Sequence, residues 1–210
     1  MNEKKDKGIR LSPIYFKEDW DKLNLDNNVQ EDWDTAVKIF KDRIEGRYLK
    51  QIELLDKNKN KDIGGFAGFA IMALDCLLIE TLEQFYKGKI RTGQGMDERA
   101  FFDFFQRSDK FKAFFSNLER ATVFYSHIRC GLLHQAQTKK KSTIHIKSGE
   151  PILQWVDDKK IAEGMRIERK LFHKEVIEIY EKYVAKISDP RNLNFRRKFK
   201  RKMDFIVNQK

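Results

Sequence analysis

Residues 63–79 read IGGFAGFAIMALDCLLI, and the reading of this run decides the fold. It is marginal in length for a membrane span, and Asp75 interrupts it where a charge is expensive in lipid. Glu80 and Glu83 follow closely. A helix that is apolar nearly all round, here extending to about Lys87, belongs at the centre of a helical bundle. Its Gly64-Gly65-Phe66-Ala67-Gly68 lacks the Gly-Lys-Ser/Thr of a phosphate loop, and no strand precedes it. Close helix packing explains those glycines better.

Upstream, Trp33, Ala36, Val37, Phe40, Ile44, Tyr48, Ile52 and Leu55 recur at three- and four-residue steps. The spacing predicts one amphipathic helix from Gln30 to about Asp56, with Gly46 a mild weakness inside it. The run Asp56–Asp62, DKNKNKD, is a solvated turn. Downstream, Gly88, Gly93 and Gly95 read as a flexible connection. The series Phe101, Phe102, Phe104, Phe105, Phe111, Phe114 and Phe115 has helical spacing and reads as core rather than as a base-stacking platform. A further helix spans about Leu118 to Gln137, and another about Glu168 to Ile187. Between them, Thr143–Ile146 and Ile152–Val156 flank Lys147-Ser-Gly-Glu-Pro151, which predicts a β-hairpin over about 143–156. The fold class expected is all-α: an up-and-down bundle of about five to six helices with a small β-hairpin insertion. One domain covers 1–188, and 189–210 form a basic C-terminal tail containing RRKFKRK.

The chain has 210 residues, enough to bury a core without disulfides or metal. Its two cysteines, Cys76 and Cys130, cannot build a disulfide framework, which points to a reducing compartment. Met1 to Arg10 is charged and lacks the apolar core of a signal peptide. A cytoplasmic protein without a membrane partner is expected. Forty-three Lys plus Arg against thirty-two Asp plus Glu give a net charge of +11, which suits a polyanionic partner.

The segment Phe124–Lys141, FYSHIRCGLLHQAQTKKK, carries the chemistry. On an ideal helical wheel Ala121, Phe124, Tyr125, Ile128 and Leu132 share a core stripe, while Ser126, Cys130, Leu133 and Gln137 lie opposite. Arg129 and His134 stand at the borders, about 140° apart. For the two to converge, the helix must bend, with Gly131 easing the bend, or a second copy must complete the site. Two antiparallel copies across a two-fold axis bring two Arg and two His together.

Arg129-Cys-Gly-Leu-Leu-His134, late in a helix of a helical bundle, resembles the Arg-x4–6-His motif of the HEPN superfamily (higher eukaryote and prokaryote nucleotide-binding domains). The resemblance covers about residues 30–140, with the helix at 168–187 completing the bundle. It implies a metal-independent endoribonuclease acting on single-stranded RNA at a homodimer interface, in a prokaryotic stress or antiviral-defence setting, as a toxin or as part of a larger defence complex. His134 is then the general base or acid, and Arg129 the phosphate clamp. No cofactor and no metal are implied. Many active members carry a polar residue directly after the Arg, where this chain has Cys130. Toxin members paired with a nucleotidyltransferase antitoxin often carry Tyr two residues after the His, where this chain has Ala136.

Around this pair, Glu80 is the expected orienter of Arg129, since an acid on a buried helix needs a partner, and Ser126, His127 and Cys130 are supporting neighbours. Lys139, Lys140 and Lys141 follow His134 closely and fit an RNA path. Arg196, Arg197 and Lys198 in the tail fit phosphate contacts. A set of metal ligands from His127, Cys130 and His134 with Cys76 or His145 lacks paired-Cys spacing. The alternative function is a non-catalytic RNA- or nucleotide-binding HEPN-like subunit or interaction module.

Overall fold

In chain order the helices are α1 (Lys17–Asp21), α2 (Gln30–Ile44), α3 (Lys50–Asp56), α4 (Lys61–Gly64), α5 (Gly68–Lys87), α6 (Asp97–Phe105), α7 (Asp109–Phe114), α8 (Leu118–Phe124) and α9 (Cys130–Gln135). Strands β1 (Thr143–His145), β2 (Leu153–Trp155) and β3 (Met165–Glu168) follow, then α10 (Arg169–Ser188) and α11 (Leu193–Val207). These elements come from a computed structural model that describes residues 8–90 and 97–209. Gly93 and Gly95 of the expected connection lie outside the described residues. The molecule is mostly helical, with one small sheet. Among the described residues no helix is long and apolar enough to cross a membrane.

Two of the expected long helices are not continuous α-helix. A π-helical turn, Glu45–Leu49, separates α2 from α3, and another, Tyr125–Arg129, separates α8 from α9. Each takes in one more residue per turn than the α pattern and so rotates every later side chain relative to a regular wheel.

The chain forms two compact units. The first comprises the described parts of Met1–Gln51, Gln84–Ile90 and Lys182–Lys210. Its core is aromatic: the ring of Phe40 meets those of Phe85, Tyr183 and Phe199 at 4.8, 5.6 and 5.5 Å. The stretch expected as a basic tail is helix α11, and it belongs to this core. Phe199, Met203 and Val207 recur at four-residue steps and are buried, together with Arg196 and Lys202. Charge hid the apolar stripe. Trp20 Nε1 donates to Asp204 Oδ1 at 3.0 Å. At Gly46, in the π-turn, a Cβ would stand 2.3 Å from Pro13 Cγ, so only glycine lets Pro13 approach.

The second unit comprises the described parts of Ile52–Glu83 and Arg91–Glu181. Phe101, Phe104, Phe105, Phe111 and Phe115 are buried there, and Phe105 stacks on Phe115 at 3.8 Å. Phe124 stacks on Phe172 of α10 at 5.4 Å. The expected hairpin is replaced by a three-stranded sheet of order β1-β3-β2. β1 runs parallel to β3 and β2 antiparallel to it, so β1 and β2 do not pair with each other. β3 takes the centre because buried Met165 and Ile167 alternate with exposed Arg166. They pair across from buried Trp155 and Leu153.

Candidate active site

Helix α8 starts at Asn117, whose side chain accepts the backbone N–H of Arg120 at 3.0 Å. After the π-turn, α9 ends at Ala136, in the left-handed region at φ 52°. The chain then folds back along its own helix: Gln137 N donates to the carbonyl of Gly131, and Lys139 N to that of His127 at 3.0 Å. Gly131 therefore serves close approach, since a Cβ there would lie 2.5 Å from the carbonyl oxygen of Gln137.

Arg129 closes the π-turn and is half-buried. Its Nε donates to Glu80 Oε1 at 2.8 Å and its Nη2 to Glu80 Oε2 at 3.4 Å. Its guanidinium carbon lies 5.4 Å from the Tyr125 ring centroid, one helical turn earlier. Burial works against the charge of Arg129, but the Glu80 carboxylate outweighs it and holds the proton more tightly than usual. Nη1 makes no hydrogen bond among the described residues, so one edge of the guanidinium stays available. Tyr125 donates its hydroxyl to Asp97 Oδ2 at 3.2 Å, and burial, followed by nearby Cys130, raises its pKa.

His134 lies in the last turn of α9, exposed, with no hydrogen bond or ion pair among the described residues. The residues from Cys130 on are α-helical, so the five-residue offset still separates Arg129 and His134 by about 140°. The structure brings Arg129 and Glu80 together, and it joins Arg129 and His134 by no hydrogen bond.

The other candidates divide. His127 is buried and its Nδ1 lies 3.2 Å from Ser142 Oγ, which also accepts the N–H of Met165. It anchors the returning loop; burial, with Lys139 and Lys140 adding to it, lowers its pKa. Ser126 and Cys130 are half-buried. Lys140 is exposed at φ 55°, Lys139 is half-exposed, and Lys141 pairs with Glu163 at 2.6 Å. Arg196, 1% exposed, is committed within the first unit. It donates to Asn28 Oδ1, Gln30 Oε1 and the carbonyls of Ile187 and Ser188, beneath the ring of Trp33 at 4.6 Å. It is not available to a phosphate. Arg197 is exposed and bonds Asn194, and Lys198 lies against Gly88. Among the described residues no group of three or more His, Cys, Asp or Glu is placed to hold a metal ion.

The sequence reading did not find the partners of the other acids on α5. Asp75, fully buried, pairs with His173 Nδ1 at 2.7 Å. Glu83 takes two bonds from Arg107, each 2.8 Å. A buried acid signals that a cation must meet it, but sequence does not say which. No protein-family model, curated protein or solved structure matches this chain.

Proposed function

We propose that this chain is a HEPN-like helical-bundle endoribonuclease that cleaves single-stranded RNA without a metal, at a site completed by a second copy. The observation that supports this reading best is the state of Arg129. It is oriented by Glu80 through two N–H bonds and, among the described residues, still has Nη1 unbonded, five residues before an exposed His134 that has no hydrogen bond or ion pair among them. A guanidinium fixed in this way binds a phosphate oxygen without first paying to be ordered.

In the reaction, His134 takes the proton of the substrate's 2′-hydroxyl as O2′ bonds to the adjacent phosphorus. The P–O5′ bond breaks, O5′ leaves with a proton from the second copy's imidazole, and the products are a 2′,3′-cyclic phosphate and a 5′-hydroxyl. Arg129 neutralises the charge that grows on the non-bridging oxygens. The offset of Arg129 and His134 around α9 favours completion by a two-fold related helix over a site within one chain. Exposed Leu133, 38% accessible, provides an apolar contact beside it. The net charge and Lys139 and Lys140 suit RNA, and the family resemblance suggests a cytoplasmic defence or stress role with an antitoxin or larger complex.

The second reading is a non-catalytic RNA- or nucleotide-binding module, favoured by the commitment of Arg129 to both Glu80 and Tyr125. Incubation with single-stranded RNA in EDTA separates the two. Cyclic-phosphate ends, reduced about 100-fold or more in Arg129→Ala and His134→Ala, support the nuclease. Tight binding without cleavage supports the module, and a strictly monomeric active enzyme rules out the composite site.

A further inference from the structure

The second unit holds a cleft of about 430 Å³ where α7, the link between β1 and β2, and α10 meet. Its walls are apolar: Ala113 and Phe114 from α7, Pro151 and Ile152 from the link, and Leu171 from α10. Three contacts fix these walls in place. The ring of Phe111 lies 5.0 Å from that of Phe172, the Ser108 hydroxyl donates to Glu175, and Trp155 Nε1 donates to the Phe114 carbonyl at 3.3 Å. Phe111 and Phe172 are buried in that packing, whereas Ala113 and Leu171 stay exposed on the same two helices. The cleft is therefore formed before any ligand arrives, which lowers the cost of binding.

Three charged side chains also line it, and two of them cancel. Glu175, 2% exposed, accepts Ser108 at one carboxylate oxygen and Lys110 at the other, the latter at 2.8 Å. Lys110 also meets Glu178 at 3.0 Å. Lys174 is exposed and has no hydrogen bond or ion pair among the described residues. An apolar cleft with one unmatched ammonium suits a ligand with an alkyl body and a single negative end.

We propose that this cleft binds a medium-chain aliphatic carboxylate, with its alkyl chain against Phe114, Ile152 and Leu171 and its carboxylate at Lys174 Nζ. The volume lies within the ~300–1,000 Å³ of small-molecule sites. A stable protein partner needs about 800 Å² on each side, and among the lining residues Leu171 alone is a large apolar side chain at the surface. Phe114 is the one aromatic wall, and the other four wall residues are aliphatic, which suits a chain over a ring. The site shares no residue with the Arg129 site and does not depend on the nuclease reading.

The test dialyses carboxyl-labelled decanoate, below its aggregation concentration, against the full chain near pH 7.5, where the carboxylate is ionised. The expected result is saturable binding at one site per chain, weakening about fourfold for each methylene removed from the acid. Lys174→Gln weakens decanoate about tenfold and leaves decanol unchanged. Leu171→Asp and Ala113→Glu, both at exposed positions, each abolish binding of decanoate, with circular dichroism checking that the variants fold. Lys182→Gln, exposed further along α10, leaves binding intact. Non-saturable uptake, or binding that survives in folded Leu171→Asp and Ala113→Glu, overturns the site. Unchanged decanoate affinity in Lys174→Gln, or equal wild-type affinity for decanoate and decanol, overturns the carboxylate assignment. Loss of binding in Arg129→Ala also overturns the site, because the ligand would then sit at Arg129.

Discussion

Among the described residues two helices widen by one π-helical turn, at Glu45–Leu49 and at Tyr125–Arg129, and each turn hands its arginine a different acceptor. At the second, Arg129 meets the Glu80 carboxylate and lies over Tyr125. At the first, Arg47 shares the Leu11 carbonyl with Arg43, and among the described residues no carboxylate joins them. The same backbone device therefore produces a compensated cation in one place and an uncompensated pair in the other. The acceptor, not the turn, sets what the arginine can do: Arg129 is held by a carboxylate, whereas Arg43 and Arg47 meet only a neutral carbonyl among the described residues.

The sharpest way to break that contrast is to remove one partner at each turn. Glu80→Ala strands Arg129 half-buried and should cost about 2–3 kcal/mol in urea unfolding. Arg43→Met removes a like charge beside Arg47 and should leave stability within about 0.5 kcal/mol of wild type, or raise it. Equal losses in the two variants would mean that the carboxylate makes no difference. A smaller effect comes from the glycines. Gly131→Ala drives a methyl into the backbone carbonyl of Gln137, and Gly46→Ala drives one into the ring of Pro13. The first should cost about 2 kcal/mol and the second about 1, because the entry loop bearing Pro13 has more room to yield. Faster amide exchange at Lys139 in Gly131→Ala checks that the returning loop is what came loose.

The smallest effect is on pH. Folding favours neutral His127, so as pH falls below the unfolded value near ~6.5 the unfolded chain takes up the proton first. The stability this residue contributes is complete above that pH and declines as acid is added. His127→Asn should flatten the dependence of Tm on pH in that window; an unchanged slope would assign it to another group.

The apolar helix at 63–79, the periodicity from Trp33 and the Phe series were legible because burial imposes a repeat that sequence records directly. Neither π-turn was, because one extra residue leaves no compositional mark and merely shifts the phase of the later side chains. Ile44 and Ile52 are both buried on either side of the first turn, so the stripe looks unbroken. The hairpin expectation failed at β3, where Met165-Arg-Ile167 alternates correctly but is too short to be distinguished from the start of α10. In α11 the basic run masked Phe199, Met203 and Val207, whose spacing was readable. At the candidate site, sequence supplied Arg129, His134 and an acid in need of a cation. Which acid meets which cation was not readable, since Asp75 and His173 are 98 residues apart in the chain.

The first unit is assembled from three stretches of chain, and α11 is the last described element to leave the ribosome. Until Phe199 emerges, the rings of Trp20, Trp33, Phe40 and Phe85 lack the ring they all pack against. At about 5–20 residues per second, the step from Tyr183 to Phe199 takes about 1–3 seconds. Over that interval the aromatic core of the first unit lacks its shared ring and stays open to chaperones and to aggregation.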